Sequence, residues 1–309
     1  METEAFCPVL VGPTGVGKSE IAFELAKKLN LEILSADAFQ VFKGLEVGTV
    51  QPPLDWQKQV HHHLVGIRNP MKSWNAGEFS RKAFAIVEDK RKQGIVILVV
   101  GGSGFYLRSF IEGLPPATSI DPEFRHQIQE KVDFLGLANA HQWLKTMNPS
   151  SAEKIHVNDR YRVCRALEKA LSPTPLSDTS FPPRLNVVLL GIECPRDQLD
   201  ITLKKRCIEI WANGLLKEAK MLKESGVPLE FPVWKAIGYF EALDYLENRI
   251  SESEALEKMY RRTRQYAKRQ WTWFRHQHRI KWFQRDMREK PDAITDLLAF
   301  EIVSSRSPH

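Results

Sequence analysis

Residues 7–29 read CPVLVGPTGVGKSEIAFELAKKL, and no other stretch restricts the fold as tightly. Gly12, Gly17, Lys18 and Ser19 fit the spacing G-x-x-x-x-G-K-S/T, a glycine-rich turn between a strand and a helix. The flanks agree: CPVLV is an apolar run of strand length, and EIAFELAKKL carries apolar residues at helical spacing. A turn of this kind encloses a multiply charged phosphate chain. The loop Gly12, Pro13, Thr14, Gly15, Val16, Gly17, Lys18, Ser19 supplies inward-facing amides, Lys18 a point charge, and Ser19 a hydroxyl for a magnesium ion.

Alternation continues through LEILSA, a helical pattern over 75–93, and IVILVV running into GGSG. This predicts an α/β fold, a P-loop NTPase-like parallel sheet with helices on both faces. From Asp121 to about Ser180 strand signals vanish and helical spacing replaces them, closing in the Pro- and Ser-rich LSPTPLSDTSFPP; LNVVLLGIEC then resumes the sheet. The expected organisation is a core of residues 1–117 and 184–309 interrupted by an all-helical domain at 118–183. Only SSRSPH at the end reads as disordered.

The excess of basic over acidic residues is modest for the whole chain, 44 against 38, but residues 256–290 hold 12 Lys or Arg and 3 Asp or Glu. One basic face is implied rather than a basic protein. A helix expected over 251–279 places Arg261, Arg264, Lys268, Thr272, Arg275 and Arg279 in one sector, with Met259, Tyr266, Gln270, Trp273 and Phe274 opposite. Phosphate backbones of nucleic acid are the natural partner of such a stripe. Cys7, Cys164, Cys194 and Cys207 form no C-x-x-C pair, no secretory leader precedes the first strand, and no apolar run is long enough to span a bilayer. The expectation is a reduced, cytoplasmic protein with no membrane association, and a monomer, since its own core accounts for the apolar stripe. His61, His62 and His63 are the one cluster resembling a metal site; adjacent side chains diverge, so a structural role is expected and no zinc site.

LEILSAD ends in Asp37, which the sheet would carry at its carboxyl edge facing the phosphate loop, where open α/β sheets bind ligands. There it can accept a proton or cap the next turn. IVILVVGGSG ends in glycines with Ser103 beside them. These residues fit a nucleotide or metabolite kinase as well as a group transferase. A non-catalytic RNA-binding protein with a relic loop is the third class.

In this order, GPTGVGKS, SADAFQVFKGLEVGT, HHLVGI, VGGSGFYL, IHVNDRYRVCRALE, AIGYFEAL and TRQYAKRQWTWFR resemble the blocks of the tRNA dimethylallyltransferases (tRNA isopentenyltransferases) of compact bacterial type, over residues 8–285. The chain ends without the C-terminal zinc finger of the eukaryotic relatives. The resemblance implies transfer of a five-carbon allylic group from dimethylallyl diphosphate to the exocyclic N6 of the adenine 3′-adjacent to the tRNA anticodon. Lys18, the amides from Thr14 to Lys18, and magnesium held with help from Ser19 would stabilise the departing diphosphate. It implies Asp37 as the base, Ser103 as a hydroxyl near the reacting groups and Arg206 as a cation on the diphosphate. Contacts to the anticodon stem-loop would come from Asp37, Ala38, Phe39, Gln40, Ser103, Arg125, Tyr161, Arg162, Arg165, Lys235, Gly238, Tyr239, Lys268, Arg269, Gln270, Trp271 and Arg275. Against the family pattern, Ala38 replaces a serine, Phe42 a tyrosine, Gly66 an aspartate and Ser103 a threonine, and Phe240 stands where a basic residue is frequent. Prenylation of free adenine nucleotides shares the chemistry but needs no helical insertion or basic helix.

Overall fold

Alternate residues of the central strands enter two different apolar layers, and this sets the architecture. The structure, a computed structural model, describes residues 5–113, 121–172, 185–277 and 279–306. Its strands are β1 (Ala5–Val11), β2 (Glu32–Ser35), β3 (His62–His63), β4 (Ile97–Gly101), β5 (Leu185–Glu193) and β6 (Ile280–Gln284). They form one sheet in the order β3-β2-β4-β1-β5-β6, every neighbouring pair parallel. In β1, Cys7, Val9 and Val11 enter one cluster and Leu10 the other; in β4, Ile97 and Val99 part from Leu98 and Val100 in the same way. A parallel sheet covered on both faces requires this double burial.

The helices are α1 (Lys18–Leu29), α2 (Leu54–Gln59), α3 (Ala76–Lys92), α4 (Gly104–Ile111), α5 (Pro122–Leu135), α6 (Leu137–Met147), α7 (Pro149–Lys154), α8 (Arg160–Leu171), α9 (Arg196–Ile210), α10 (Leu216–Glu224), α11 (Tyr239–Leu246), α12 (Glu252–Arg275) and α13 (Asp292–Arg306). One layer is closed by α1 and α13, through Ile21, Phe23, Leu25, Leu298 and Ile302. The other is closed by α3, α4 and the helices after α9, through Phe79, Phe110, Trp211, Trp234, Met259 and Phe274. None of the described helices is long and apolar enough to cross a membrane.

Residues 121–172 form a compact helical unit of their own, with a core of Ile128, Val132, Ala140, Leu144, Val163, Cys164 and Leu167. Asp121, Asn148 and Asp159 cap α5, α7 and α8 by accepting backbone N–H groups. The Pro- and Ser-rich segment after Ser172 and the last three residues of the tail lie outside the described residues.

The long basic helix differs from its expectation at its carboxyl end. Ser251 and Glu254 form a capping box at its start, but α12 stops at Arg275, where the His276 ring and backbone engage carbonyls of the last turn. Arg279 is therefore outside the helix, and the chain turns into β6, an edge strand that extending the helical pattern to 279 concealed. Met259, Gln270 and Phe274 are buried as their sector required, while Tyr266 and Trp273 are half-buried. On the basic side, Arg264 pairs with Asp200 at 2.8 Å. Arg275 pairs with Glu193 and lies between the rings of Trp271 and Trp282, 5.1 and 4.8 Å from their centroids. Glu193, at the end of β5, is 6% exposed and also accepts from Trp271 Nε1 and Gln284 Nε2.

Arg275 thus belongs to the fold as much as to the surface. Arg275→Ala leaves a buried carboxylate short of one donor and is expected to lower stability by about 1–2 kcal/mol, the partly exposed arginine keeping the loss below that of a fully buried pair. Lys268→Ala, on the same stripe and in no ion pair among the described residues, is expected to leave it unchanged. Thermal melts of the two variants check this, and equal melting temperatures would contradict it.

Candidate active site at the phosphate loop

The loop leaves β1 in the middle of the sheet and enters α1 at Lys18, with Gly17 as N-cap at φ +80°. A side chain at Gly17 would be strained at that φ and would collide with the guanidinium of Arg285. Lys18 Nζ donates to Pro13 O at 2.7 Å, folding over the loop, and Ser19 presents its hydroxyl at the first turn of the helix. Above the loop is a cavity of about 390 Å³ lined by Thr14, Lys18, Ser19, Asp37, Arg206 and Gln270, among others. A second cavity, of about 410 Å³, is lined by Phe39, Lys235, Arg262 and Arg269 and shares Thr14, Asp37, Thr49, Arg206 and Tyr266 with the first. The shared residues are one wall seen from both sides.

That wall is electrostatically unbalanced. Lys18 and Arg206 face the first cavity, and neither is in an ion pair among the described residues. Desolvation, then the charge of Arg206, pulls the Lys18 ammonium down to about 7, with Asp37 opposing. Desolvation likewise lowers Arg206, again against Asp37. A bound anion would relieve both. Asp37 Oδ1 accepts the backbone N–H of Phe39 at 2.8 Å and of Gln40 at 3.3 Å, so this oxygen caps the following turn. Its other oxygen takes no partner among the described residues.

Tyr266 was missed by the sequence reading, which placed it only on the apolar side of α12. It lines both cavities and is hydrogen-bonded to Ser103 and Gln270; burial, then the Asp37 carboxylate, pushes its phenol up to about 12. Burial, then Asp37, also raises Tyr106. Ser103 therefore sits beside Tyr266 at the start of α4. Trp56, Gln51 and His62 line the far side of the first cavity, from a segment whose motif carried no chemical signal.

Four of the residues expected on ligands are engaged or buried within the protein. The Thr14 amide, expected on the diphosphate, donates instead to Gln270 Oε1 at 2.8 Å. Gln270, expected on RNA, is 6% exposed and donates its Nε2 to Gly102 O at 2.9 Å, bracing the phosphate loop against the end of β4. Tyr239 is likewise fully buried, its hydroxyl donating to Glu218, which also accepts from Val47 and Gly48; Gly238 is buried beside it. Neither residue presents surface to solvent. Phe42 is 1% exposed, so the hydroxyl it lacks would have met the core.

The other assigned residues reach the surface or the cavities. Ala38 and Phe39 are half-buried at the end of β2, whereas the side-chain amide of Gln40 is occupied by Ser35 and Val50. Lys235 and Arg269 are exposed at the second cavity, and Lys268 is exposed along a third groove with Arg261, Arg264 and Trp271. Within the helical unit, Arg125 and Arg165 converge on the fully buried Glu168, at 3.6 and 2.5 Å. Tyr161, 72% exposed, lies under the Arg165 guanidinium, and Arg162 is exposed with Asp159 as partner. Arg125, Tyr161 and Arg165 are thus grouped around Glu168 and the Arg165 guanidinium.

Away from the loop, Glu32, His61 and His63 bring ligand atoms within 4.8 Å of one another. The divergence of adjacent histidines holds for His62, but its two neighbours in sequence point the same way. Glu32 is already engaged, by His63 Nε2 at 2.6 Å and Lys90 Nζ at 3.1 Å.

Comparison with known proteins gives the family. Residues 40–277 match the family model described as IPP transferase. A tRNA dimethylallyltransferase of Synechococcus sp. (strain CC9311) is 39% identical, covering 88% of this chain and 87% of its own length; one of Acetivibrio thermocellus is 33% identical, covering 96% and 97%. Among solved structures, the full-length tRNA isopentenylpyrophosphate transferase of Bacillus halodurans is 32% identical with a TM-score of 0.71, covering 98% of both chains. A eukaryotic dimethylallyltransferase acting on tRNA is 25% identical with a TM-score of 0.82, covering 98% of this chain and 80% of its own. The chain belongs to the IPP transferase family, and it is an enzyme that transfers a dimethylallyl group to tRNA.

Proposed function

We propose that the phosphate loop of this enzyme holds a leaving group: the donor is dimethylallyl diphosphate, and the acceptor is the exocyclic N6 of the adenine 3′-adjacent to the tRNA anticodon. The observation that carries the reading is the pair of cations, Lys18 and Arg206, facing one cavity with no acidic partner among the described residues and with Asp37 on the wall shared with the next cavity. The diphosphate occupies the first cavity and the adenine enters through the second. The N6 lone pair forms a bond to the allylic carbon as the carbon–oxygen bond breaks, and the electron pair leaves on the diphosphate. Lys18, Arg206 and the loop amides after Thr14 stabilise that charge where it develops. The N6 proton passes to Asp37. Tyr266, which lines both cavities with Asp37, orients the amine, and Ser103 supports Tyr266 from the start of α4.

Ser19, at the amino end of α1, and Asp37, lining the same cavity, would hold a magnesium ion bound together with the diphosphate. Such an ion supplies further charge neutralisation for the leaving group. On the RNA side, Lys235, Arg269, Lys268 and Arg261 offer charge to phosphates, and Tyr161 with Arg125, Arg162 and Arg165 offers a stacking ring and cations from the helical unit. Ala38 and Phe39 touch the base. An unstacked loop adenine suits this entry, because its amine is reachable only outside a helix. The enzyme acts as a monomer in the cytoplasm, where tRNA is found.

Asp37→Ala is expected to reduce single-turnover prenyl transfer by at least ~100-fold, the lower range for a positioned base, while tRNA affinity stays within about threefold. Retention of a tenth of the wild-type rate would remove the base assignment. The second expectation concerns pH. Binding the diphosphate requires Lys18 as an ammonium, and the unliganded group loses its proton near 7. Affinity for dimethylallyl diphosphate should therefore fall about tenfold per pH unit between about pH 7.5 and 9, and Lys18→Ala should bind weakly with no such slope. Titration calorimetry across that range checks it; a wild-type affinity independent of pH would contradict it.

A further inference from the structure

We propose that Arg285 is a positioning residue for the diphosphate, acting from behind the phosphate loop by fixing the orientation of the peptide between Val16 and Gly17. Arg285 follows β6 and is 7% exposed. Its backbone N–H donates to Glu193 O at 2.8 Å, which anchors the residue to the end of β5. Its guanidinium points the other way, under the loop: Nη1 donates to Val16 O at 3.0 Å and Nη2 to Glu20 Oε2 at 2.8 Å. Arg285 is absent from the lining of the cavity, so it reaches an anion only through the loop.

The geometry gives that bond a consequence. A trans peptide is planar, and its C=O and N–H point in opposite directions. Holding the Val16 carbonyl down toward Arg285 therefore turns the Gly17 N–H up, toward the cavity where the leaving group gathers charge. The same guanidinium fills the space that a side chain at Gly17 would need, so loop and arginine fit only as a pair. Gln270 takes the Thr14 amide and Lys18 takes the Pro13 carbonyl, so the loop is tied at three points and Arg285 supplies the one nearest the helix. An arginine suits the place because its fork spans two acceptors and keeps its charge when buried. Its Nε, buried without a partner, marks a group retained at a cost.

This rests on the reading of the loop as a diphosphate site. The test measures binding of inorganic diphosphate with magnesium by calorimetry, KM for dimethylallyl diphosphate and for tRNA, and melting temperature, for wild type, Arg285→Met and Arg285→Lys. Arg285→Met is expected to weaken diphosphate binding and raise the donor KM by about tenfold, the size of one hydrogen bond to a charged group, with the KM for tRNA unmoved. Arg285→Lys, whose single ammonium cannot span both acceptors, is expected to lose at least about threefold in the same two quantities. A folded Arg285→Met with wild-type diphosphate affinity overturns the proposal, as does parallel loss of diphosphate and tRNA binding, which would mark a general structural role. Should Arg285→Met fail to fold, Arg285→Lys decides, and wild-type diphosphate affinity in that variant overturns it. A wild-type enzyme that binds tRNA but no diphosphate would refute the diphosphate reading itself, a result distinct from any change at Arg285.

Discussion

Two cations held partly out of water, with Asp37 as their nearby counter-charge and no ion pair to either among the described residues, are the constraint around which the site is built. Lys18 comes from the loop after β1 and Arg206 from α9, far apart in sequence; burial lowers the affinity of both for their protons, and the charge of Arg206 lowers that of Lys18 further. Such an arrangement is unfavourable in the unliganded protein, and the surrounding packing must enforce it. The enforcement is visible in the tie from the Thr14 amide through Gln270 to Gly102, and in the packing of Leu203 of α9 against Gly15. An anion carrying several charges turns this cost into binding and transition-state energy.

The same loop in a kinase would transfer phosphorus. Here the family transfers carbon, and the layout of the cavities accounts for the difference in role. Asp37 stands on a wall common to two cavities, so in the proposed arrangement a nucleophile arriving from the second would meet the carbon end of a donor whose charged end lies in the first. The protein's task is then to gather negative charge at one end and a proton at the other. Gln40 holds the Asp37 turn in place through Ser35 and Val50, and Glu218 fastens the neighbouring loop through Val47, Gly48 and Tyr239, so that the proposed base is held by hydrogen bonds on both sides.

Much of this was legible in the sequence. The sheet with helices on both faces followed from the alternation of CPVLV, LEILSA, IVILVV and LNVVLLGIEC with helical spacing. Asp37 and the loop followed from strand ends and a spaced motif. What was hidden depended on long-range contacts. Nothing local in IKWFQ distinguishes an edge strand from a continued helix, and β6 exists because β5 offers it a partner. Gln270 reads as one polar residue on an apolar sector; its burial is intelligible only once the Thr14 amide and Gly102 carbonyl are seen at its two ends. Arg275 reads as part of a basic stripe, and only the fold brings Glu193 and two tryptophan rings to it. Tyr266 lies within a quoted block but on its apolar sector, and acquires its place at the cavities from the helix that carries Gln270.

The central claim, that the loop grips a leaving diphosphate while carbon is transferred, is tested most directly by following the bridging oxygen of the donor. Dimethylallyl diphosphate labelled with oxygen-18 between the allylic carbon and phosphorus is incubated with enzyme and tRNA, and both products are examined by mass spectrometry. Cleavage of the carbon–oxygen bond places the label in the released diphosphate and none in the prenylated nucleoside. Label retained on the organic product, or phosphate found on the tRNA, would show cleavage at phosphorus and contradict the account.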